Sequence, residues 1–357
     1  MEVMKIFTSA IEKGASDIHI IPGKPPYMRL KGEMIPIIEN IILLPEQTKA
    51  LIYGLLSDSQ KARFEENLEL DCSFAIKGLA RFRLNVFMTK NGIEAVARII
   101  PSRIPTHKEI GLSDEIISLV DQPKGLILVT GPTGSGKSTT LASLINIINE
   151  KHKLNIITIE DPIEFVYESK NSIIRQREVG QHTRSFANAL RSALREDPDV
   201  ILVGEMRDLE TIQLTLTSAE TGHLTFATLH TQDAATTIDR IIDVFPPHQQ
   251  QQIRIQLASS LKCVISQILL PRKDGKGLVA AREVMFMTSA ISNLIREGKT
   301  HLIYSAIETG AKFSMISMDR SLALLVKNNI VDMEEAISRT TDKENFKKFL
   351  YAGGQIQ

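Results

Sequence analysis

Residues 125–148, GLILVTGPTGSGKSTTLASLINII, decide how the rest of the chain is read. A run with the composition of a buried strand passes into a glycine-rich turn, and the turn passes into a segment with the makeup of a helix. Gly131, Gly136, Lys137 and Ser138 stand there at the G-x-x-x-x-G-K-[ST] spacing of a phosphate-binding loop. The chemistry asks for these residue types. Glycines let backbone N–H groups turn inward around a phosphate, Lys137 reaches the outer phosphates, and the Ser138 hydroxyl can ligate Mg²⁺. A helix starting near Lys137 adds the positive end of its dipole to the same place. The expected nucleotide cradle is therefore Gly131, Pro132, Thr133, Gly134, Ser135, Gly136, Lys137, Ser138 and Thr139, with ATP and Mg²⁺ as its ligands. A glycine-rich turn that matched by chance would not need the strand before it or the helix after it.

Working outward, the strand-like runs NIITIE, DVILVGE and HLTFATLH alternate with helical segments, the pattern of a largely parallel sheet covered by helices. After about residue 285 the chain reads as helical (SAISNLIREG, SMDRSLALLVKNN, DMEEAISRT, ENFKKFLYA) and ends in a polar Gly353-Gly354 tail expected to fray. Upstream, Val3, Ile6, Phe7, Ala10 and Ile11 follow the spacing of a helix with one buried face, closed by Gly14. ASDIHII, PYMRLKG, EMIPII, LDCSFAI, ARFRLNVFMT and IEAVARII follow as strands, with a helix near QTKALIYGLL, which makes a small α+β domain. IPSRIPTHKEIGLSD, with its prolines, a glycine and the capping-type Ser113-Asp114, reads as a linker leading into a helix. The expected domains are 1–105 and 106–357.

Composition narrows the function. The 357 residues carry 42 basic and 42 acidic side chains, so the field that drives indiscriminate nucleic-acid binding is missing. The balance is a cancellation, because residues 1–110 hold 15 basic and 13 acidic groups. A RecA-type translocase on nucleic acid is disfavoured, and a non-hydrolysing nucleotide switch stays as a separate class to be tested by turnover. Cys72 and Cys263 form neither a disulfide framework nor a zinc signature, which fits a reducing cytoplasm. Charges at Glu2, Lys5, Glu12 and Lys13 interrupt the N-terminal segment before it reaches the length of a signal peptide. No apolar run approaches the roughly 20 residues of a membrane-spanning helix, so any membrane contact is expected to pass through a partner.

Two further strand ends carry acids. NIITIEDPIEF places Glu160, Asp161 and Glu164 past one strand, and DPDVILVGEMRD places Glu205 past another. In open α/β sheets the carboxyl ends of strands face the ligand crevice, where one carboxylate can orient the attacking water and another can hold a metal-bound water. An acid after a strand is ordinarily a loop charge or a helix cap. Following a phosphate loop in this order, Glu205 and Glu164 are read as functional, with Glu160 a candidate for water-mediated metal contact. His223 and His230 flank LTFATL, but seven strand residues at about 3.3 Å each hold them roughly 23 Å apart, which argues against a metal pair. His230, at the carboxyl end, is the candidate γ-phosphate sensor, and His223 is open to a structural or interface role.

With GPTGSGKST, ITIEDPIEF, DPDVILVGEMRD and AETGHLTFATLHT in order, the chain resembles the secretion-type hexameric ATPases of type IV pili and type II secretion. ASDIHI, ARFRLNVF and AISNLIREGK extend the likeness over nearly the full length and toward the retraction ATPases of that family. A tetracysteine zinc element and a long extra N-terminal domain, features of the extension ATPases, are not found. The resemblance implies a RecA-like P-loop ATPase core, a smaller α+β PAS-like N-terminal domain and a helical C-terminal region. It further implies a homohexamer with nucleotide sites between the domains, located in the cytoplasm at the inner membrane. It implies Mg²⁺-dependent ATP hydrolysis that drives pilus retraction through a PilC-like platform protein, with a PilU-like paralogue as a further partner. Sister motors for extension, accessory retraction or type II secretion are the alternative. Carried residue by residue, Lys137 and Ser138 hold phosphate and metal, Glu205 is the base, Glu164 belongs to the acidic box, and His230 faces the γ-phosphate. Arg81, Arg83 and Arg98 are the expected charge-neutralising arginines, a solvated strand face being the other reading of the ARFRL pair. Two positions depart from the pattern: Gly204 stands where many P-loop enzymes carry an aspartate, and Ser292 stands where retraction ATPases commonly carry arginine.

Overall fold

The structure, a computed structural model, describes residues 3–30, 32–76, 79–100 and 103–351; the Gly353-Gly354 tail lies outside them. The chain divides into two compact units, Met1–Arg103 with Pro162–Phe165, and Ile104–Asp161 with Val166–Gln357.

The first unit is built on an antiparallel sheet of six strands: β1 (Asp17–Ile20), β2 (Tyr27–Leu30), β3 (Glu33–Pro36), β4 (Glu69–Ile76), β5 (Ala80–Thr89) and β6 (Gly92–Ile100). They lie in the order β3-β2-β1-β6-β5-β4. Alternation on β5 sends Phe82, Leu84 and Val86 into the core and leaves Arg81 and Arg83 on the other face, as a period of two requires. The helix Val3–Glu12 covers the apolar face with Ile6, Phe7 and Ala10. The Phe7 and Phe82 rings meet edge to face at 4.8 Å, a geometry favoured by the aromatic quadrupole. The helices Pro45–Tyr53 and Asp58–Asn67 complete the unit, the second burying only Phe64.

The second unit carries seven strands: β7 (Gly125–Thr130), β8 (Asn155–Glu160), β9 (Ile173–Glu178), β10 (Val200–Val203), β11 (Leu224–Leu229), β12 (Leu261–Pro271) and β13 (Leu278–Phe286). Their order is β13-β12-β7-β11-β10-β8-β9. Six strands run parallel and β13 returns antiparallel against β12. Every residue of β7, β10 and β11 is buried, because helices cover both faces. Successive residues therefore feed two different cores. Leu126, Leu128, Ile201 and Val203 join one with the helices Phe186–Ala193 and Leu209–Glu220. Ile127, Val129, Val200 and Leu202 join the other with Leu141, Leu144, Ile145 and Ile148 of the helix Lys137–Lys151. The C-terminal helices gather a small core around Leu322 and Phe346.

Candidate active site

Strand order places the expected residues along one edge. β7, β11, β10 and β8 are neighbours and parallel, so Gly131, His230, Glu205 and Glu160 all stand at the same, carboxyl, ends of adjacent strands. That edge is where α/β sheets bind ligands.

The phosphate loop is held open from beneath. Gly131 has φ +138°, and a side chain there would collide with the carbonyl oxygen of Gln267; Gly136, at φ +84°, starts the helix Lys137–Lys151. No side chain caps that helix, which leaves its N-terminal end to the loop. Lys137 is 9% exposed, and its ammonium donates to the carbonyls of Gly131 at 2.8 Å and Pro132 at 3.0 Å. Pro132, Thr133 and Gly134 are exposed, Ser135 is buried, and Ser138 and Thr139 are half-buried at the first helical turn. Gln267 fixes the loop, donating to the Ser135 carbonyl at 2.7 Å and accepting from the Thr140 hydroxyl at 2.9 Å.

Glu205 follows β10 directly after Gly204, forms an ion pair with Arg207 at 2.7 Å and lies 3.2 Å from Nε2 of His230. Burial works against its charged form, but Arg207 and His230 outweigh that and hold the carboxyl below its ordinary range. The pairing raises the Arg207 guanidinium in return. Glu160, 9% exposed, accepts from the Thr158 hydroxyl at 2.6 Å and from Gln176 at 3.2 Å. Gly204 sits tightly: a Cβ there would stand 3.1 Å from the Ile159 carbonyl and 3.2 Å from Glu160 Cα, so an aspartate would require the backbone of β8 to give way slightly. His223 lies at the opposite end of β11 from His230 and bonds the Ser218 carbonyl at 2.9 Å.

Glu164 and the three arginines belong to the first unit by contact. Glu164 is exposed in Pro162–Phe165. Arg83 and Arg98 are direct partners across β5 and β6, two like charges opposite each other. Each also meets a carboxylate: Arg83 forks onto Asp71, and Arg98 donates to Asp17 at 2.8 Å. Arg81 donates to the Ser73 hydroxyl.

The sequence model of the family described as Type II/IV secretion system protein matches residues 1–342. The chain belongs to that family. Among relatives of the secretion-system family, it is 49% identical over 350 residues to the type IV pilus retraction ATPase PilT of Pseudomonas aeruginosa, covering 97% of this chain and 100% of that one. It is 50% identical over 324 residues to a twitching motility protein of Neisseria gonorrhoeae, covering 90% of this chain and 85% of the other. A crystal structure of the pilus retraction motor PilT with bound ADP superposes with a TM-score of 0.92 at 47% identity, over 98% of this chain and 99% of that one. The reading as a RecA-like α/β core with a smaller α+β unit and C-terminal helices holds.

Three polar residues of this family member escaped the sequence reading: Arg207, Gln267 and Arg282. Arg207 had a local signal, lying two positions after Glu205. Gln267 and Arg282 had a weaker one, each standing beside one other polar residue, Ser266 and Glu283, inside a run that packs as largely buried strand. Ser292, the departure in the C-terminal motif, is 8% exposed and donates to the Ala258 carbonyl at 3.3 Å, so the helix Ser289–Arg296 packs a small side chain against Pro247–Ser260.

Proposed function

We propose that the chain is the subunit of an ATP-hydrolysing homohexameric motor that retracts type IV pili and so powers twitching motility. The observation that carries the reading is the Glu205–His230 pair, set at the ends of β10 and β11, the second and first strands on one side of the phosphate-loop strand, at the same sheet edge. That is the spacing of parts phosphoryl transfer asks for: donors for the phosphates, then an acid to orient water. The names of the PilT relatives supply the physiological context.

In this reading Lys137 and the loop N–H groups of Gly131, Thr133, Gly134, Ser135, Gly136, Ser138 and Thr139 bind the phosphates of ATP, with Pro132, which has no N–H, shaping the same loop. Glu205 orients the attacking water and takes its proton, and His230 faces the γ-phosphate while steadying the Glu205 carboxylate. With Arg207 paired to it, Glu205 is a weak base, and loss of the Arg207 contact would strengthen it. The donor set fits Mg²⁺. No cluster of three or more His, Cys, Asp or Glu exists among the described residues, and Mg²⁺ is held by few protein oxygens together with phosphates and water. The Ser138 hydroxyl would hold it, with Glu160 contacting a bound water, and the ion would neutralise phosphate charge. Glu164, as the acidic-box residue, and Arg81, Arg83 and Arg98, as phosphate-facing groups, complete the assignment. The first unit, to about residue 105, is read as the PAS-like domain whose movement against the core, 106–357, turns hydrolysis into work. The ring acts at the cytoplasmic face of the inner membrane on a PilC-like platform protein, with a PilU-like paralogue as helper. Among the described residues no helix is long and apolar enough to cross a membrane.

Steady-state hydrolysis by the Glu205→Gln protein tests the site, with a fall of about 10²- to 10⁴-fold expected for a lost general base. Unchanged turnover would remove Glu205 from that role. Deleting the gene tests the motor: cells that keep surface pili but stop moving support retraction, and cells without pili contradict it.

A further inference from the structure

Two neighbouring polar pairs face each other across the otherwise largely apolar strands β12 and β13, Ser266 with Glu283 and Gln267 with Arg282, and the second pair lies against the phosphate loop. Gln267 and Arg282 are buried, at 1% and 8% exposure. Gln267 holds the phosphate loop through the Ser135 carbonyl and Thr140. Its Oε1 also faces Nε of Arg282, at 3.5 Å. The other two nitrogens of Arg282 reach away from the loop, Nη1 to the Gly111 carbonyl at 2.9 Å and Nη2 to the Ile110 carbonyl at 2.8 Å. No carboxylate pairs with Arg282 among the described residues. Its charge is therefore buried on carbonyl and amide oxygens alone, and that burial lowers its pKa to about 10.

A buried guanidinium without a counter-ion is expensive, and an apolar side chain of similar length would fill the space at less cost. Two features make the charge useful. It lies one hydrogen-bonded residue away from a loop built for anions, where a fixed positive charge in a low-dielectric setting favours phosphate. Its planar fork also ties two consecutive carbonyls of the segment that enters the second unit while Nε faces Gln267, a spread of donors that the single ammonium of a lysine does not offer. We infer that Gln267 and Arg282 are positioning residues forming a relay from the phosphate loop to the entering segment at Ile110–Gly111, so that phosphate on the loop sets the order of that segment. The inference rests on the reading of the loop as the nucleotide site.

The segment carries its own reporters, since the amides of Ile110, Gly111 and Leu112 bond to the carbonyls of Thr106, Lys108 and His107. Hydrogen exchange at these amides, measured on the full-length assembled chain with and without ADP, is the test, together with ADP affinity by calorimetry. In the natural chain ADP should slow exchange at residues 110–112. Arg282→Met should weaken ADP about tenfold, the order expected for a lost charged hydrogen-bond network, and abolish the exchange response. Arg282→Lys should recover affinity in part while leaving the response absent. If ADP binds the natural chain and exchange at 110–112 does not change, the relay is overturned and the loop reading stands, whether or not any variant folds. If ADP does not bind, both fall. An Arg282→Met protein that keeps both affinity and response overturns the assignment to Arg282.

Discussion

The phosphate loop and the arginine face of the first unit both present positive charge, and they are built in opposite ways. Lys137 is 9% exposed and held by carbonyls of its own loop, whereas the Arg98 side chain is 70% exposed and the Arg83 side chain 43% exposed, each resting on an aspartate. A buried donor left without partners costs free energy, so the Lys137 ammonium is satisfied by carbonyls of its own loop and is held in one arrangement. An exposed ion pair contributes about 0–1 kcal/mol, so its arginine can leave one oxyanion for another at little cost. If the arginines change partners as proposed, the difference separates two jobs: a group that must be in place before a ligand arrives is buried, and a group that must change partners is left in water.

The largest effect should come from the buried side. Lys137→Ala removes a preset charge from the phosphate site and should lower ATP turnover by at least about 10²- to 10³-fold, the scale of a lost preorganised donor. Steady-state hydrolysis beside a thermal melt checks it. Turnover within a few-fold of the natural protein would break the contrast at its first step.

Next in size is the tight end of β10. Gly204→Asp would insert the acid that many P-loop enzymes carry, into a place where a Cβ already lies 3.1 Å from the Ile159 carbonyl. Overpacking of this kind costs about 1–3 kcal/mol, which chemical denaturation would register. A variant as stable as the natural chain, with tighter Mg²⁺ dependence of turnover, would show that β8 gives way there.

What was legible in the sequence follows the same divide between local and distant. The phosphate loop could be read because its spacing, its strand and its helix are contiguous, and Glu205 because it follows an apolar run. The β12–β13 hairpin was not read: the helix Pro247–Ser260 passes into β12 at Leu261 with no glycine or proline between them. The helix Asp58–Asn67 buries only Phe64, so it carries no apolar stripe to detect. Gln267 and Arg282 act through residues 132 and 171 positions away, a distance at which spacing says nothing. Gly204 could be seen as a departure, but its cause, the backbone of β8, exists only in the folded sheet.

The exposed side should give smaller effects of a different kind. Arg83→Ala and Arg98→Ala should each change unfolding free energy by less than about 1 kcal/mol. If these arginines reach phosphate as proposed, each should still lower turnover by about tenfold, the worth of one charged hydrogen bond. The informative quantity is the ratio between the two readouts. Loss of stability without loss of turnover would make the arginines ordinary partners of Asp17 and Asp71.

The smallest effect sharpens the contrast by pH. Asp17 is 7% exposed beneath Arg98. Burial opposes its charge, but the Ser16 hydroxyl and Arg98 outweigh that, so its carboxyl lies below the ordinary range. A carboxyl with a lowered folded pKa contributes stability in full above its unfolded pKa and loses it as pH falls through the folded value. Asp17→Asn should therefore be less stable than the natural chain at neutral pH, by under about 1 kcal/mol because the partner arginine is in water. The gap should close on acidification below the ordinary carboxylate range, as the natural side chain also becomes neutral. Urea unfolding of both proteins at neutral and acidic pH measures it. A gap that persists in acid would mean that Asp17 acts through shape and hydrogen bonding, and that the arginine above it is freer to leave than the ion pair suggests.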